Sequence, residues 1–263
     1  MDGPERIARA FADAKGRAAL MPYLMGGYPD VPTSLAIGEA YIDAGADLIE
    51  LGVPFSDPLA DGPVVHAAGT KALENGTTVA DVLTICEQLS QRVPVVMMMY
   101  TNLVLAPGPE AFARRIAAAG AAGLIVPDLP LEESEAVLAA CDAAGVALIP
   151  LVAPTTPDDR MARIGARARG FVYTVSVVGT TGERAALSDT FGSLVARAKA
   201  STDVPVALGF GIGNPEQVAQ AAASGADGVI IGSRLVRAVA EAQDDPAAAV
   251  HALVSSFSAA LTA

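Results

Sequence analysis

Eight short apolar runs punctuate the chain, at Ala19–Gly27, Leu48–Pro54, Val93–Tyr100, Gly123–Pro130, Ala147–Ala153, Phe171–Val177, Pro205–Ile212 and Gly228–Ser233. Within each run the apolar residues are largely consecutive, the pattern of parallel strands covered on both faces. Ala-rich amphipathic segments separate them, among them Val31–Ala44, Pro109–Ala119, Glu132–Ala144 and Pro215–Ser224. These are long enough to be crossover helices. A weak repeat marks the joins: Asp43-Ala44-Gly45-Ala46-Asp47, Ala118-Ala119-Gly120, Ala143-Ala144-Gly145 and Ala223-Ser224-Gly225-Ala226-Asp227. Each Gly suits the left-handed residue that ends a helix, and the next strand starts at once.

Eight such units with no linker between them predict an α/β fold, a single (β/α)8 barrel over residues 1–263. Pro4–Lys15 reads as an extra N-terminal helix able to plug the barrel floor. Helical material is doubled after the second strand, at Val64–Glu74 and Val79–Gln91. A doubly wound sheet is the alternative, but Gly26-Gly27 lacks the Gly-rich fingerprint that such a sheet carries after its first strand.

The second run changes the picture, because it contains a carboxylate. Glu50 lies in Leu48-Ile49-Glu50-Leu51-Gly52-Val53, and a loop rich in Pro, Gly and Asp follows, with Asp57 and Asp61 on it. Burial disfavours a charged carboxylate, so Glu50 needs a partner or a proton-transfer task. A second carboxylate beyond a strand end allows acid and base work to be divided. A structural ion pair for Glu50, and turn chemistry for Asp57 and Asp61, are the plainer readings.

Two glycine-bearing turns follow the last two strands: Gly209-Phe210-Gly211-Ile212-Gly213 and Gly232-Ser233. Barrels hold phosphate there, on backbone N–H groups and the N-terminus of a short helix. The sixth loop, Val177-Val178-Gly179-Thr180-Thr181-Gly182-Glu183-Arg184, suits a lid or a passive surface loop equally. Tyr173, in the strand before it, aims its hydroxyl into the barrel or packs in the core.

The composition is 52% hydrophobic, with 29 acidic against 17 basic residues and a net charge of −12. That argues against a nucleic-acid partner, which would want a basic stripe. The lysines, Lys15, Lys71 and Lys199, fall in helices rather than at strand ends, which disfavours Schiff-base chemistry. The histidines, His66 and His251, have no neighbours at ligand spacing, so no metal is expected. Cys86 and Cys141 form no disulfide framework. The N-terminus lacks a signal-peptide pattern and no run approaches a membrane span, so a cytoplasmic protein is expected. What remains is acid–base chemistry, free of metal and cofactor, on a phosphorylated small molecule. Another phosphate-binding barrel enzyme, and a regulatory subunit with little turnover of its own, stay open.

The stretch Ile49-Glu50-Leu51-Gly52-Val53-Pro54-Phe55-Ser56-Asp57-Pro58-Leu59-Ala60-Asp61-Gly62-Pro63 resembles the signature of the tryptophan synthase alpha chain family. Met99-Tyr100-Thr101-Asn102, Pro127-Asp128-Leu129-Pro130-Leu131-Glu132-Glu133, Gly179-Thr180-Thr181-Gly182 and Gly209-Phe210-Gly211-Ile212 extend the resemblance in order along the chain. It implies retro-aldol cleavage of indole-3-glycerol phosphate to indole and glyceraldehyde 3-phosphate. It also implies a partner, the tryptophan synthase beta chain, which carries PLP and forms an alpha2-beta2 heterotetramer with this subunit. No cofactor is implied for this chain itself. By the same resemblance Glu50 is the general acid–base and Asp61 binds the indole N–H. Tyr23, Tyr173 and Thr181 contact substrate. Gly182, Gly211, Gly232 and Ser233 hold its phosphate, and Pro54, Asp57 and Asp128 face the partner. Val177 stands where some members carry an Arg.

Overall fold

Nine parallel strands form one sheet in the computed structural model, which describes residues 1–14, 16–175, 184–209, 211–242 and 244–262. The strands are β1 (Ala19–Met25), β2 (Ile49–Gly52), β3 (Val95–Met98), β4 (Ala121–Ile125), β5 (Ala147–Ile149), β6 (Leu151–Val152), β7 (Val172–Val175), β8 (Val206–Gly209) and β9 (Gly228–Ile231). Their order is β5-β4-β3-β2-β1-β9-β8-β7-β6. The two ends of that order are halves of one predicted run, Ala147–Ala153, separated only by Pro150. Proline has no N–H to give to a ladder. The run changes partner there, from β4 to β7, while the Pro150 carbonyl still accepts from Tyr173 N at 3.0 Å. Eight strands by sequence thus make a nearly closed barrel.

The helices are α1 (Gly3–Asp13), α2 (Val31–Asp43), α3 (Pro63–Glu74), α4 (Val79–Leu89), α5 (Thr101–Leu105), α6 (Pro109–Ala118), α7 (Glu135–Ala144), α8 (Asp158–Arg167), α9 (Arg184–Lys199), α10 (Pro215–Ala223), α11 (Ser233–Glu241) and α12 (Pro246–Thr262). Gly45, Gly120, Gly145 and Gly225 all take positive φ at the helix-to-strand joins, as the repeat predicts. No described helix is long and apolar enough to cross a membrane. Cys86 and Cys141 are free and buried on α4 and α7.

Both faces of the barrel wall are apolar, which is why the strands read as continuous runs. Met21, Leu48, Val96, Ile149 and Phe171 fill the interior, while Leu20, Leu24, Ile49, Leu51, Val95 and Met97 pack outward under the helices. The N-terminal helix closes the floor. Ile7 of α1 is fully buried among the interior residues. Arg6 donates to the carbonyls of Gly120 at 2.8 Å and Ser90 at 2.5 Å, beyond the C-terminal ends of α6 and α4. Asp2 and Glu5 form a reciprocal cap that starts α1 at Gly3.

Two of the differences from the predicted boundaries have a specific structural cause. The fourth strand begins at Ala121 rather than Gly123, because an irregularity between Val95 and Val96 lets one extra residue of β4, Ala122, stand opposite no partner. Gly3 docks on that residue: a Cβ at Gly3 would lie 2.1 Å from the Ala122 oxygen. The helix after β4 begins at Glu135 rather than Glu132. Leu131–Glu133 forms a 3-10 turn instead, and the Ser134 hydroxyl donates to the Leu131 carbonyl at 2.8 Å.

Candidate active site

The C-terminal ends of the strands surround a cavity of about 610 Å³ lined by Glu50, Asp61, Tyr23, Tyr173, Gly211, Gly232 and Ser233, among others. Seven residues named from the sequence therefore meet in one place. Thr181, Gly182 and Val177 lie outside the described residues. Pro54, Asp57 and Asp128 do not line the cavity: Pro54 is buried, while Asp57 and Asp128 are exposed on the loops after β2 and β4.

Glu50 sits at the middle of β2, in register with Tyr23 on β1 and Val96 on β3. Strand alternation turns it inward, two residues above the interior residue Leu48. It is 2% exposed, and its Oε2 has no hydrogen-bond partner among the described residues. Burial, with the nearby Asp61 charge adding to it, raises its carboxyl to about 8. A neutral carboxylic acid facing a cavity can give a proton and take one back near neutral pH.

Asp61 ends the loop after β2. Its Oδ1 accepts from the Tyr100 hydroxyl at 2.9 Å. Burial raises its carboxyl, while that hydrogen bond and His66 act in the opposite direction. The two acids therefore differ: Asp61 has a donor that favours its ionised form, and Glu50 Oε2 has none.

The aromatic walls are placed by glycines. A Cβ at Gly52 would lie 2.1 Å from the Tyr23 hydroxyl, and one at Gly209 would lie 2.4 Å from the Tyr173 ring. Each tyrosine thus lies across the end of a neighbouring strand, where any side chain would displace it. Burial raises both phenols further above their ordinary range, so they stay neutral.

The part of the cavity wall beyond β8 and β9 is suited to an anion. Gly232 precedes α11, no side chain caps that helix, and Ser233 is its first residue. Gly211 has φ +63 with open space around its α-carbon, so its backbone conformation rather than crowding favours glycine. Two cations not singled out from the sequence, Arg234 and Arg237, also line the cavity. Their signal was present, since both follow Gly232-Ser233 within the first turns of the next helix, but the face they occupy is set by the fold. Tyr100 was also missed as a functional residue.

The family model for the tryptophan synthase alpha chain matches residues 10–261. The chain belongs to the tryptophan synthase alpha chain family. It is 52% identical over 231 residues to the tryptophan synthase alpha chain of Prochlorococcus marinus (strain MIT 9313), covering 87% of this chain and 84% of that one. It is 47% identical over 243 residues to that of Gloeobacter violaceus, covering 91% and 88%. A crystal structure of Mycobacterium tuberculosis tryptophan synthase superposes with a TM-score of 0.90 at 42% identity, over 97% of this chain and 98% of that one. The alpha subunit from Legionella pneumophila str. Paris gives 0.90 at 34% identity, over 100% and 99%. As a tryptophan synthase alpha chain, the protein is a lyase of tryptophan biosynthesis that cleaves indole-3-glycerol phosphate to indole and glyceraldehyde 3-phosphate.

The raised Glu50 carboxyl has a consequence for stability. From pH 4.5, the ordinary value, to about 8, the unfolded chain has released this proton and the folded chain keeps it. Stability contributed by Glu50 is thus full below that window, falls as pH rises through it, and levels off above. Glu50→Gln removes this titration. The variant's unfolding free energy relative to that of wild type should be higher at about pH 9 than at about pH 5, with the difference growing by on the order of 4 kcal/mol. Urea denaturation at the two pH values measures it; a gap independent of pH would contradict the raised carboxyl.

Proposed function

We propose that Glu50 and Asp61 divide the chemistry of indole-3-glycerol phosphate cleavage, Glu50 moving the protons and Asp61 holding the indole N–H. The observation that carries this reading is the buried Glu50 carboxyl, with an oxygen that has no partner among the described residues, in the same cavity as a hydrogen-bonded Asp61. Neutral Glu50 gives its proton to C3 of the indole, which breaks the ring's aromaticity and puts positive charge at the ring nitrogen. Ionised Asp61 stabilises that charge. The Glu50 carboxylate then removes the proton from the side-chain hydroxyl next to C3. The carbon–carbon bond breaks, its electron pair restores the indole, and the hydroxyl carbon becomes the aldehyde of glyceraldehyde 3-phosphate. One proton leaves Glu50 and one returns, so the enzyme ends as it began.

Phosphate sits on the backbone of Gly211, Gly232 and Ser233, with Gly182 of the sixth loop completing its site and Thr181 contacting the substrate, both by resemblance. Binding there is remote from the reacting centre and serves to place C3 against Glu50. Tyr23 and Tyr173 flank the indole.

The tryptophan synthase beta chain, carrying PLP, is the proposed partner, in an alpha2-beta2 assembly in the cytoplasm. Asp57 and Asp128 are exposed on the loops after β2 and β4, which flank the segment after β3, with Leu59 86% exposed between Asp57 and Asp61. An exposed Leu on a loop that also carries a site residue supports docking on this face. Pro54 is buried and would act there by shaping the loop.

Glu50→Gln should lower kcat for indole release by about 10²–10⁴-fold. Its affinity for glyceraldehyde 3-phosphate should stay unchanged, whereas Gly211→Asp should lose that affinity. For wild type, kcat/KM should fall as pH rises through about 8, where Glu50 loses its proton. Wild-type turnover in a folded Glu50→Gln would remove Glu50 from the mechanism. Titration calorimetry with a beta chain tests the interface separately. Asp57→Ala should weaken association at least several-fold, and equal affinity would move the interface elsewhere.

A further inference from the structure

Tyr100 lies just beyond β3, at the residue that precedes α5, and its side chain is buried. It touches the loop after β2 at both ends. Its ring stacks on Phe55, near the start of the loop, with centroids 5.2 Å apart and planes 25° from parallel. Its hydroxyl accepts from the Ala60 N–H at 3.0 Å and donates to Asp61 Oδ1 at 2.9 Å, where the loop ends. The base of Tyr100 is itself held. Asp128 Oδ1, from the loop after β4, accepts from both the N–H and the hydroxyl of Thr101 at 2.8 Å.

A hydroxyl has one proton to donate. That of Tyr100 goes to Asp61, and one of its lone pairs takes the Ala60 N–H. The same atom therefore fixes the Asp61 carboxylate and the backbone just before it. We infer that Tyr100 is a positioning residue for the reaction, engaging one Asp61 oxygen so that the other is left to receive the substrate's ring N–H. The inference rests on the reading of Asp61 given above. Among the described residues, the titratable groups that act on Asp61 or feel its charge are Glu50 from β2, Tyr23 from β1, His66 from α3 and Tyr100 from beyond β3. Of these, Tyr100 makes the hydrogen bond. A donor to a carboxylate favours the ionised form. Tyr100 thereby favours ionised Asp61 beside protonated Glu50, whose Oε2 has no donor among the described residues.

Tyr100→Phe removes one oxygen atom and keeps the ring that stacks on Phe55. With the donor gone, Asp61 holds its proton to higher pH. The acidic limb of the kcat/KM profile should then move up by about one pH unit. Activity near neutral pH should fall by about ten-fold, while KM for glyceraldehyde 3-phosphate in the reverse reaction should change little. A purely structural role would lower kcat at every pH and leave the limb in place. 3-Fluorotyrosine at position 100, a stronger donor of the same shape, should move the limb to lower pH, and it serves as the test should Tyr100→Phe not fold. In an Asp61→Asn background, Tyr100→Phe should cost little more. An unmoved acidic limb in Tyr100→Phe or the fluorotyrosine protein, with Asp61→Asn still impaired, would overturn the inference and leave the Asp61 reading standing. Wild-type activity in Asp61→Asn would overturn that reading itself.

Discussion

A buried carboxyl group with no cation beside it among the described residues is the constraint on which the rest of the site depends. Charging Glu50 inside the barrel mouth is costly, because among the described residues its Oε2 meets no donor. The group therefore keeps its proton near neutral pH, and the barrel must tolerate the resulting loss of stability. The wall of apolar side chains on both faces of the sheet supplies that tolerance. The floor is sealed by Ile7 and by the carbonyls gathered on Arg6. The mouth is left for chemistry, so stability and function occupy opposite ends of the same strands.

The second carboxylate matters because it is not equivalent to the first. Both are raised by burial, but one loop places Asp61 on the Tyr100 hydroxyl, while strand β2 turns Glu50 into the cavity, where its Oε2 has no partner among the described residues. Two acids in one cavity would otherwise compete for a single proton. The asymmetry in hydrogen bonding assigns that proton to Glu50. The aromatic walls follow similar logic: Gly52 and Gly209 are empty positions that let Tyr23 and Tyr173 lie over neighbouring strand ends.

The fold and the Glu50–Asp61 pair were legible in the sequence because each depends on local pattern. Parallel strands buried on both sides must be apolar without interruption, so a Glu in such a run is conspicuous. The helix-ending glycines were legible for the same reason, since positive φ is a local demand. Other features were set by contacts distant in sequence. The start of β4 depends on an unpaired Ala122 meeting Gly3, more than a hundred residues earlier. The short helix α5 has no periodicity to read. Tyr100 belonged to a recognisable motif, but its role appears only when the loop after β2 folds back onto it. Arg234 and Arg237 reach the cavity because of the rotation of α11, which the order of residues alone does not fix.

The central claim is that Glu50 is a neutral acid in the folded chain near pH 7. Infrared difference spectroscopy of wild type against Glu50→Gln, with the glutamate carboxyl carbons isotopically labelled, follows that proton directly as pH is varied. The account predicts a protonated-carboxyl band that belongs to Glu50 and disappears with a midpoint near pH 8. A midpoint near the ordinary glutamate value of 4.5 would contradict it.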